Sequence, residues 1–172
     1  MRVLLKSVLD CPVDAAWRAI RSPSVFAAVS EPFTKFSSLE PDGFPALWSP
    51  GDHRVKVRAG GLVAIGEQVI AVSYPAAGTP GSGTRAIAYS GVGSGEVHIM
   101  KDTGHGTGGV LGLITRWEHT MVVSDAPGGR TLYRDQLVFE AGRMTPLLWP
   151  VYWLFWQWRG IGLRRLAPSW RV

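Results

Sequence analysis

Residues 3–32 have the sequence VLLKSVLDCPVDAAWRAIRSPSVFAAVSEP, and this stretch decides the fold. Val3 and Leu5 begin an alternation of apolar and polar residues that predicts a strand. Pro12 is favourable in the first turn of a helix, and the charge of Asp14 suits the positive end of the helix dipole. The stretch therefore predicts a strand that is followed directly by a short helix.

A second short helix comes next, and after it the sequence changes to strands and turns. Ser22 is placed to cap that helix, and Pro32 ends it. From Phe33 to Gly142, runs of β-forming residues alternate with glycine- and proline-rich turns. The candidate strands are 33–39, 52–59, 62–74, 85–92, 96–101, 113–124 and 131–141. Because their connections are short, successive strands must pair antiparallel.

The last segment predicts a long helix. Thr145 is a suitable N-cap, Pro146 suits the first helical position, and the helix extends to about Ala167. Pro150 lies one turn inside and is expected to kink or loosen the start of the helix. The order of one strand, two short helices, about six more strands and a long helix predicts one α+β helix-grip domain over 1–172. In such a domain a curved antiparallel sheet, here of about seven strands, wraps around the C-terminal helix and encloses an apolar pocket.

Short motifs spread over the chain agree with a known family. They are the run 11–17 followed by Ser22-Pro23, the pair Trp117 and His119, the run Gly129-Arg130-Thr131 leading to Tyr133 and Asp135, and the end of the terminal helix at 159–166. In these motifs the chain resembles the polyketide cyclase/dehydrase and lipid-transport group of the START-like, or SRPBCC, superfamily. The resemblance covers nearly the whole chain and implies the helix-grip fold. It does not select an activity, because that superfamily includes carriers, receptors, cyclases and hydrolases.

The composition is that of a globular protein rather than a disordered one, with 46% hydrophobic and 18% charged residues. Cys11 is the single cysteine, which excludes an internal disulfide and fits a reducing compartment. No basic-then-apolar leader precedes the first strand, and the longest apolar run, 146–158, is too short to span a bilayer. We therefore expect a cytoplasmic protein.

The net charge of +5 is partly clustered. The clustered residues are Arg54, Lys56 and Arg58 on one predicted strand, and Arg159, Arg164, Arg165 and Arg171 near the C-terminus. A basic surface can attract acidic lipids or ligands, although a solvated outer face is the simpler interpretation. We expect no nucleic-acid binding, because no recognition helix or stacking platform with interleaved basic residues is present.

The hairpin between 113 and 141 contains the candidate site. The residues expected to face inward are Trp117, His119 and Met121 on its first strand, and Tyr133, Asp135 and Leu137 on its second. If Ala126-Pro127-Gly128 forms a three-residue loop, His119 lies directly opposite Asp135. A one-residue change in the length of that loop would separate the pair.

An inward-facing His119 beside Asp135 has two interpretations. The carboxylate would hold one imidazole tautomer and raise its basicity, as a general acid/base pair in a cyclase, dehydratase or hydrolase requires. Alternatively, the two groups only satisfy each other's polarity in an apolar interior. We favour the second interpretation because no nucleophile lies near the pair in sequence. Cys11, at a strand-to-helix junction, is expected to be a small buried side chain rather than a nucleophile.

We expect neither a metal nor a cofactor. Glu96, His98, His105 and His119 have no recognised ligand spacing. The glycine-rich run 104–109 lacks the Gly-Lys-Ser/Thr ending of a phosphate-binding loop. This run is instead expected to form a mobile lid or rim loop.

The terminal helix is apolar on nearly every side. We expect Tyr152 and Phe155, on the stripe that continues to Arg159, to line the pocket. A further stripe, consisting of Trp149, Trp153 and Trp156, exceeds what the sheet and the pocket can cover. It predicts a homodimer contact or a weak contact with a membrane surface. Cover by the strand at 33–39 and neighbouring loops is the alternative.

Three functions are compatible with these features. The favoured one is binding or transport of a small hydrophobic ligand, such as a lipid, an isoprenoid or a polyketide-like aromatic. Its expected contacts are Trp117, Met121, Tyr133, Leu137, Tyr152 and Phe155. The second is an enzyme that uses His119 and Asp135 on such a ligand. The third is a peripheral membrane or interaction module that uses the tryptophans and the terminal arginines.

Overall fold

The structure is a computed structural model and describes residues 1–76 and 97–171. Its strands are β1 (Arg2–Leu9), β2 (Thr34–Ser38), β3 (Gly51–Ala59), β4 (Val63–Ser73), β5 (Val97–Asp102), β6 (His105–Gly109), β7 (Arg116–Ala126) and β8 (Arg130–Glu140). Its α-helices are α1 (Val13–Ile20), α2 (Pro23–Ser30) and α3 (Thr145–Leu166). Single 3₁₀ turns span Val110–Leu113, Gly142–Met144 and Ala167–Trp170. The predicted strand at 85–92 lies outside the described residues.

The described strands form one antiparallel sheet in the order β1-β8-β7-β5-β4-β3-β2, with β6 also paired to β4. The helix α3 packs across the β1 end of this sheet, where Gly160 lies so close to Leu5 that a Cβ would come within 2.8 Å of both Leu5 methyl carbons. The core lies between this helix and the inner face of the sheet. The predicted helix-grip architecture is confirmed, with eight described strands where the sequence predicted about seven.

Residues 105–109 of the glycine-rich run form the strand β6 rather than the predicted lid or rim loop, because the glycines of the run allow two backbones to approach closely. A Cβ on Gly104 would lie 1.8 Å from the carbonyl oxygen of Val69 on β4, and one on Gly66 would lie 2.1 Å from the carbonyl oxygen of Gly108. Residues with side chains would prevent this pairing. Sequence analysis missed β6 because glycines are depleted in strands.

The register of the β7–β8 hairpin differs from the predicted one. Its three-residue loop is 127–129, because Gly128 and Gly129 both adopt positive φ angles, of 79° and 66°. His119 therefore pairs with Leu137, and Asp135 pairs with Met121. The shift between predicted and observed pairs is two residues, so every side chain keeps its predicted face. His119 and Asp135 become diagonal neighbours instead of direct partners.

The N-cap of α3 also differs from expectation. Met144, not Thr145, occupies the N-cap position, and the Thr145 hydroxyl donates to the carbonyl of Gly142 and accepts from the backbone N–H of Ala141. Pro150 lies inside the helix, and the expected kink there stays a prediction. Thr145 thus ties the end of the sheet to the first turn of the helix, which positions the wall of the cavity described next.

Candidate functional site

A cavity of about 470 Å³ lies between the inner face of the sheet and α3. Strands β2, β3, β4, β5, β7 and β8 form its floor, α1 and α2 close one side, and α3 forms its roof. Most side chains on its described wall are apolar. The few polar groups on that wall include His119, Asp102, Gln68, Thr34 and Arg159. The protein therefore encloses an apolar chamber with a small set of polar groups, as ligand pockets commonly do.

Most residues predicted to contact a ligand lie on the wall of this cavity. They are Trp117, Met121, Tyr133, Tyr152 and Phe155. Leu137 does not line it, because its side chain is fully buried in the hydrophobic core instead. Of the predicted catalytic pair, His119 lies on the wall, whereas Asp135 lies behind it. Their roles in binding or catalysis stay predictions.

Asp135 is the centre of a buried hydrogen-bond network. Its Oδ1 is 2.8 Å from His119 Nε2 and accepts from Trp156 Nε1 at 2.8 Å. Its Oδ2 accepts from the Tyr133 hydroxyl at 2.6 Å. Asp135 is 2% exposed, and both of its oxygens are engaged, so a buried carboxylate is compatible with its apolar surroundings.

The electrostatics of this network favour an ionised Asp135. Burial alone would raise the pKa of this carboxyl group, but the opposing effects of His119, Arg159 and the Tyr133 hydroxyl lower the pKa to about 2. Burial, together with the adjacent carboxylate, raises the pKa of Tyr133 well above its ordinary value. Tyr133 therefore stays a neutral donor. The network holds His119 in one orientation at the cavity wall, because its Nε2 is engaged with the carboxylate.

Asp102 is a second buried carboxyl group on the cavity wall, and it lies at the junction of β5 and β6. Its Oδ1 accepts from the backbone N–H groups of Ala71 and Gly104, each at 2.9 Å. Its Oδ2 accepts from Trp117 Nε1 at 3.0 Å. Burial raises the pKa of Asp102, against the lowering effects of His119 and these donors. Asp102 thus accepts from two backbone N–H groups at the point where the partner strand of β4 changes from β5 to β6.

Comparison with solved structures gives matches along almost the whole chain. A protein from Chromobacterium violaceum is 17% identical, with 96% of each chain covered and a TM-score of 0.59. A START superfamily protein from Mycobacterium smegmatis is 14% identical, with 98% of this chain and 97% of that one covered and a TM-score of 0.59. The Zhui aromatase/cyclase from Streptomyces sp. R1128 is 11% identical, with 98% and 93% covered and a TM-score of 0.58. The chain has the START-like fold.

No protein-family model matches the chain, and no curated protein matches it significantly. The identities to the solved structures are low, so the likeness applies to the START-like fold and not to an activity. The resemblance inferred from short motifs is confirmed at the level of the fold.

The stripe of α3 that contains Trp149, Trp153 and Trp156 is more buried than predicted. Trp156 was expected on an outer stripe, but it is 1% exposed and donates to Asp135. Trp149 is half-buried and donates to the backbone carbonyl of Arg2, so within that stripe only Trp153 is exposed, at 44%. A helix that is apolar all round does not reveal its buried side by periodicity. The predicted homodimer and the membrane-surface contact stay predictions.

Arg159 is also buried, although the sequence placed it in a basic C-terminal cluster. It is 4% exposed and lies on the cavity wall, whereas Arg164 and Arg165 are exposed. Sequence reasoning missed it as a site residue, as it missed Asp102. A signal for Arg159 was present, because it continues the stripe of Tyr152 and Phe155 that lines the cavity. Asp102 had no comparable signal, since its role depends on the position of the junction between two strands.

Cys11 does not lie on the described wall of the cavity. Cys11 is fully buried, and burial raises the pKa of its thiol, which disfavours the reactive thiolate. Within residues 1–76 and 97–171, no group of three or more His, Cys, Asp or Glu side chains could hold a metal ion. No helix in these ranges is long and apolar enough to cross a membrane.

Proposed function

We propose that the protein binds a small hydrophobic ligand in the cavity between the sheet and α3. The cavity itself supports this most directly. Its volume of about 470 Å³ lies within the range of roughly 300–1,000 Å³ that is common for small-molecule sites. A well-packed protein interior does not contain empty space of this size, since voids larger than a water molecule are few.

The polar groups on the wall and directly behind it support a binding role over a catalytic one. Asp135 is saturated by three donors, and Asp102 accepts from two backbone groups and Trp117. No serine or cysteine lies on the described part of the wall, so the usual nucleophiles for acyl transfer are not at hand there. The lone Cys11 is not part of the wall. The ligand is therefore held by an apolar surface with a few polar anchors.

Occupancy of the cavity can be tested with the neutral dye Nile red. We expect a saturable fluorescence increase with the wild-type protein, since the dye gains an apolar environment. Val57 lines the cavity from β3, so the substitution Val57→Trp should fill part of the chamber and weaken dye binding at least about 10-fold. The matched control is Lys56→Trp, which adds the same side chain to the opposite face of the strand and should leave binding unchanged.

A wild-type protein that binds no neutral apolar dye would contradict the proposal. Equal binding by wild type and Val57→Trp would also contradict it, provided that circular dichroism shows the variant to be folded. Mass spectrometry of a chloroform extract of the native protein adds an independent measurement, because a retained ligand would appear there.

One arrangement favours a second candidate, a cyclase or dehydratase that acts on a bound polyketide-like ligand. His119 lies on the cavity wall with Asp135 behind it at 2.8 Å, which is how an orienting carboxylate supports a general base. The Zhui aromatase/cyclase has a similar fold. His119 would take a proton from an activated carbon of the ligand and return it to a leaving hydroxyl group.

The substitution His119→Gln tests this candidate. If the candidate is right, the wild type converts a linear poly-β-ketone analogue to a cyclised, dehydrated product, and the variant does so about 10²–10⁴ times more slowly. Nile red binding should change little, because the glutamine keeps a polar group beside Asp135. The measurement is product formation by mass spectrometry. Equal rates in both proteins, or no product above the rate in buffer, would reject the enzyme and leave the binding function in place.

A further inference from the structure

Arg159 is a buried cation without a polar partner among the described residues. Its side chain belongs to α3, lines the cavity and is 4% exposed. Its Nε has no hydrogen-bond partner, and none of the ion pairs in the described part of the chain includes its guanidinium group. A buried charge is costly unless it is paired, so an unpaired arginine on a cavity wall points to a partner from outside the chain.

Three aromatic rings lie around the guanidinium group of Arg159. Its Cζ lies 5.0 Å from the ring centroid of Trp156, 5.5 Å from that of Phe26 and 6.0 Å from that of Phe155. These cation–π contacts partly compensate for the lost hydration of the charge, but they use no N–H group. The guanidinium donates no hydrogen bond to the described residues, and its N–H groups can bind a carboxylate in a bidentate manner.

The two nearby carboxyl groups do not supply the missing partner. Asp135 is hydrogen-bonded to His119, Trp156 and Tyr133. It makes no hydrogen bond with Arg159, whose charge lowers the pKa of Asp135 only at longer range. Asp102 accepts from backbone groups and a tryptophan. Both nearby carboxyl groups therefore bind other donors, and neither forms an ion pair with Arg159.

We infer that the ligand carries a carboxylate group, which binds the edge of the Arg159 guanidinium while its apolar body fills the cavity. This inference rests on the proposed binding function and narrows its ligand class to amphipathic monocarboxylic acids. A single negative charge is favoured because Arg159 is the only lysine or arginine on the described wall. Phosphate monoesters carry more negative charge than this one cation can neutralise.

Matched pairs of acids and neutral analogues test the inference through displacement of Nile red at pH 8. The pairs are dodecanoic acid with dodecan-1-ol, and 2-naphthoic acid with 2-naphthamide. In at least one pair, we expect the acid to bind the wild type about 10- to 100-fold more tightly than its neutral analogue. In Arg159→Met, which keeps an unbranched apolar stem, this preference should disappear while the neutral analogue and Nile red still bind. Arg159→Lys should retain part of the preference, because it keeps the charge without the planar fork.

The possible failures can be told apart. If neutral analogues bind the wild type as well as the acids do in both pairs, the inference is wrong and the binding function stands. The inference is also wrong if Arg159→Met keeps the preference for acids, or if dodecyl phosphate binds more tightly than dodecanoic acid. If neither Nile red nor any analogue binds the wild type, the proposed function itself is wrong. The comparison of acids and neutral analogues in the wild type needs no variant, so it remains decisive even if Arg159→Met does not fold.

Discussion

Replacement of Asp135 by alanine is expected to lower the free energy of unfolding by about 3–5 kcal/mol. The variant leaves three buried donors without their acceptor: the imidazole of His119, the hydroxyl of Tyr133 and the indole N–H of Trp156. Each buried donor that loses its partner costs roughly 1–3 kcal/mol, although such costs are not additive. Because these donors belong to β7, β8 and α3, the loss should also loosen the contact between the sheet and the helix.

Chemical denaturation followed by tryptophan fluorescence measures this effect. Asp125→Ala is the matched control, because Asp125 lies at the other end of the same hairpin and is exposed. Its substitution should change stability by less than about 0.5 kcal/mol. A loss below about 1 kcal/mol for Asp135→Ala would show that the network contributes little to stability.

The pH dependence of this effect has a defined sign. The pKa of Asp135 is lowered from its ordinary 3.8 to about 2, so its ionised form stabilises the folded state. This contribution, about 2–3 kcal/mol, is present above pH 4 and is lost as the pH falls towards 2, because the unfolded chain takes up the proton first. The stability difference between the wild type and Asp135→Asn should therefore narrow between pH 5 and pH 2. Asp102 contributes with the opposite sign, since its pKa is raised, but it is present in both proteins and largely cancels in the difference between the wild type and Asp135→Asn.

Replacement of Gly104 by alanine is the second change with a large expected effect, a loss of about 2–4 kcal/mol in stability. A Cβ at this position would lie 1.8 Å from the carbonyl oxygen of Val69 and 2.7 Å from its carbonyl carbon. Both are backbone atoms of β4, so no side-chain rotation relieves the clash. The N–H of Gly104 also donates to Asp102, and a displaced backbone would weaken that hydrogen bond.

Gly108→Ala is a close control for this prediction. Gly104 immediately precedes β6, and Gly108 lies on that strand. A Cβ on Gly108 would meet no atom within 4 Å. Its substitution should change the unfolding free energy by less than about 1 kcal/mol. Equal losses for the two variants would mean that the close pairing of β6 with β4 does not occur in solution. Nile red binding should fall only in Gly104→Ala, because the turn after β6 carries Leu111 to the cavity wall.

In the β7–β8 hairpin, the sequence predicted the inward faces of the site residues but not the pairing of the strands. Alternation placed His119 and Asp135 on one inner face, and this holds because a strand side chain can only point to one of two faces. The loop was placed one residue too early, since three residues with turn chemistry follow Ala126 and nothing local selects among them. The positive φ angles of Gly128 and Gly129 decide the register. The error was two residues in pairing, so the two side chains still meet by a diagonal contact of 2.8 Å.

Apart from β6, the order of the described elements, the inward faces of the strands and the presence of an aromatic roof were determined by the sequence, because they depend on local periodicity and turn residues. Only the tertiary structure decided which side of α3 is buried in addition to the side of Tyr152 and Phe155, which the sequence already placed at the cavity. The helix is apolar all round, so its rotation is set by small residues at its contacts: Gly160 against Leu5, and Gly162 against Val29. That rotation turns Trp156 towards Asp135 and brings Arg159 to the cavity wall. The helix for which the sequence predicted a partner surface thus has Trp156 and Arg159 on its buried side.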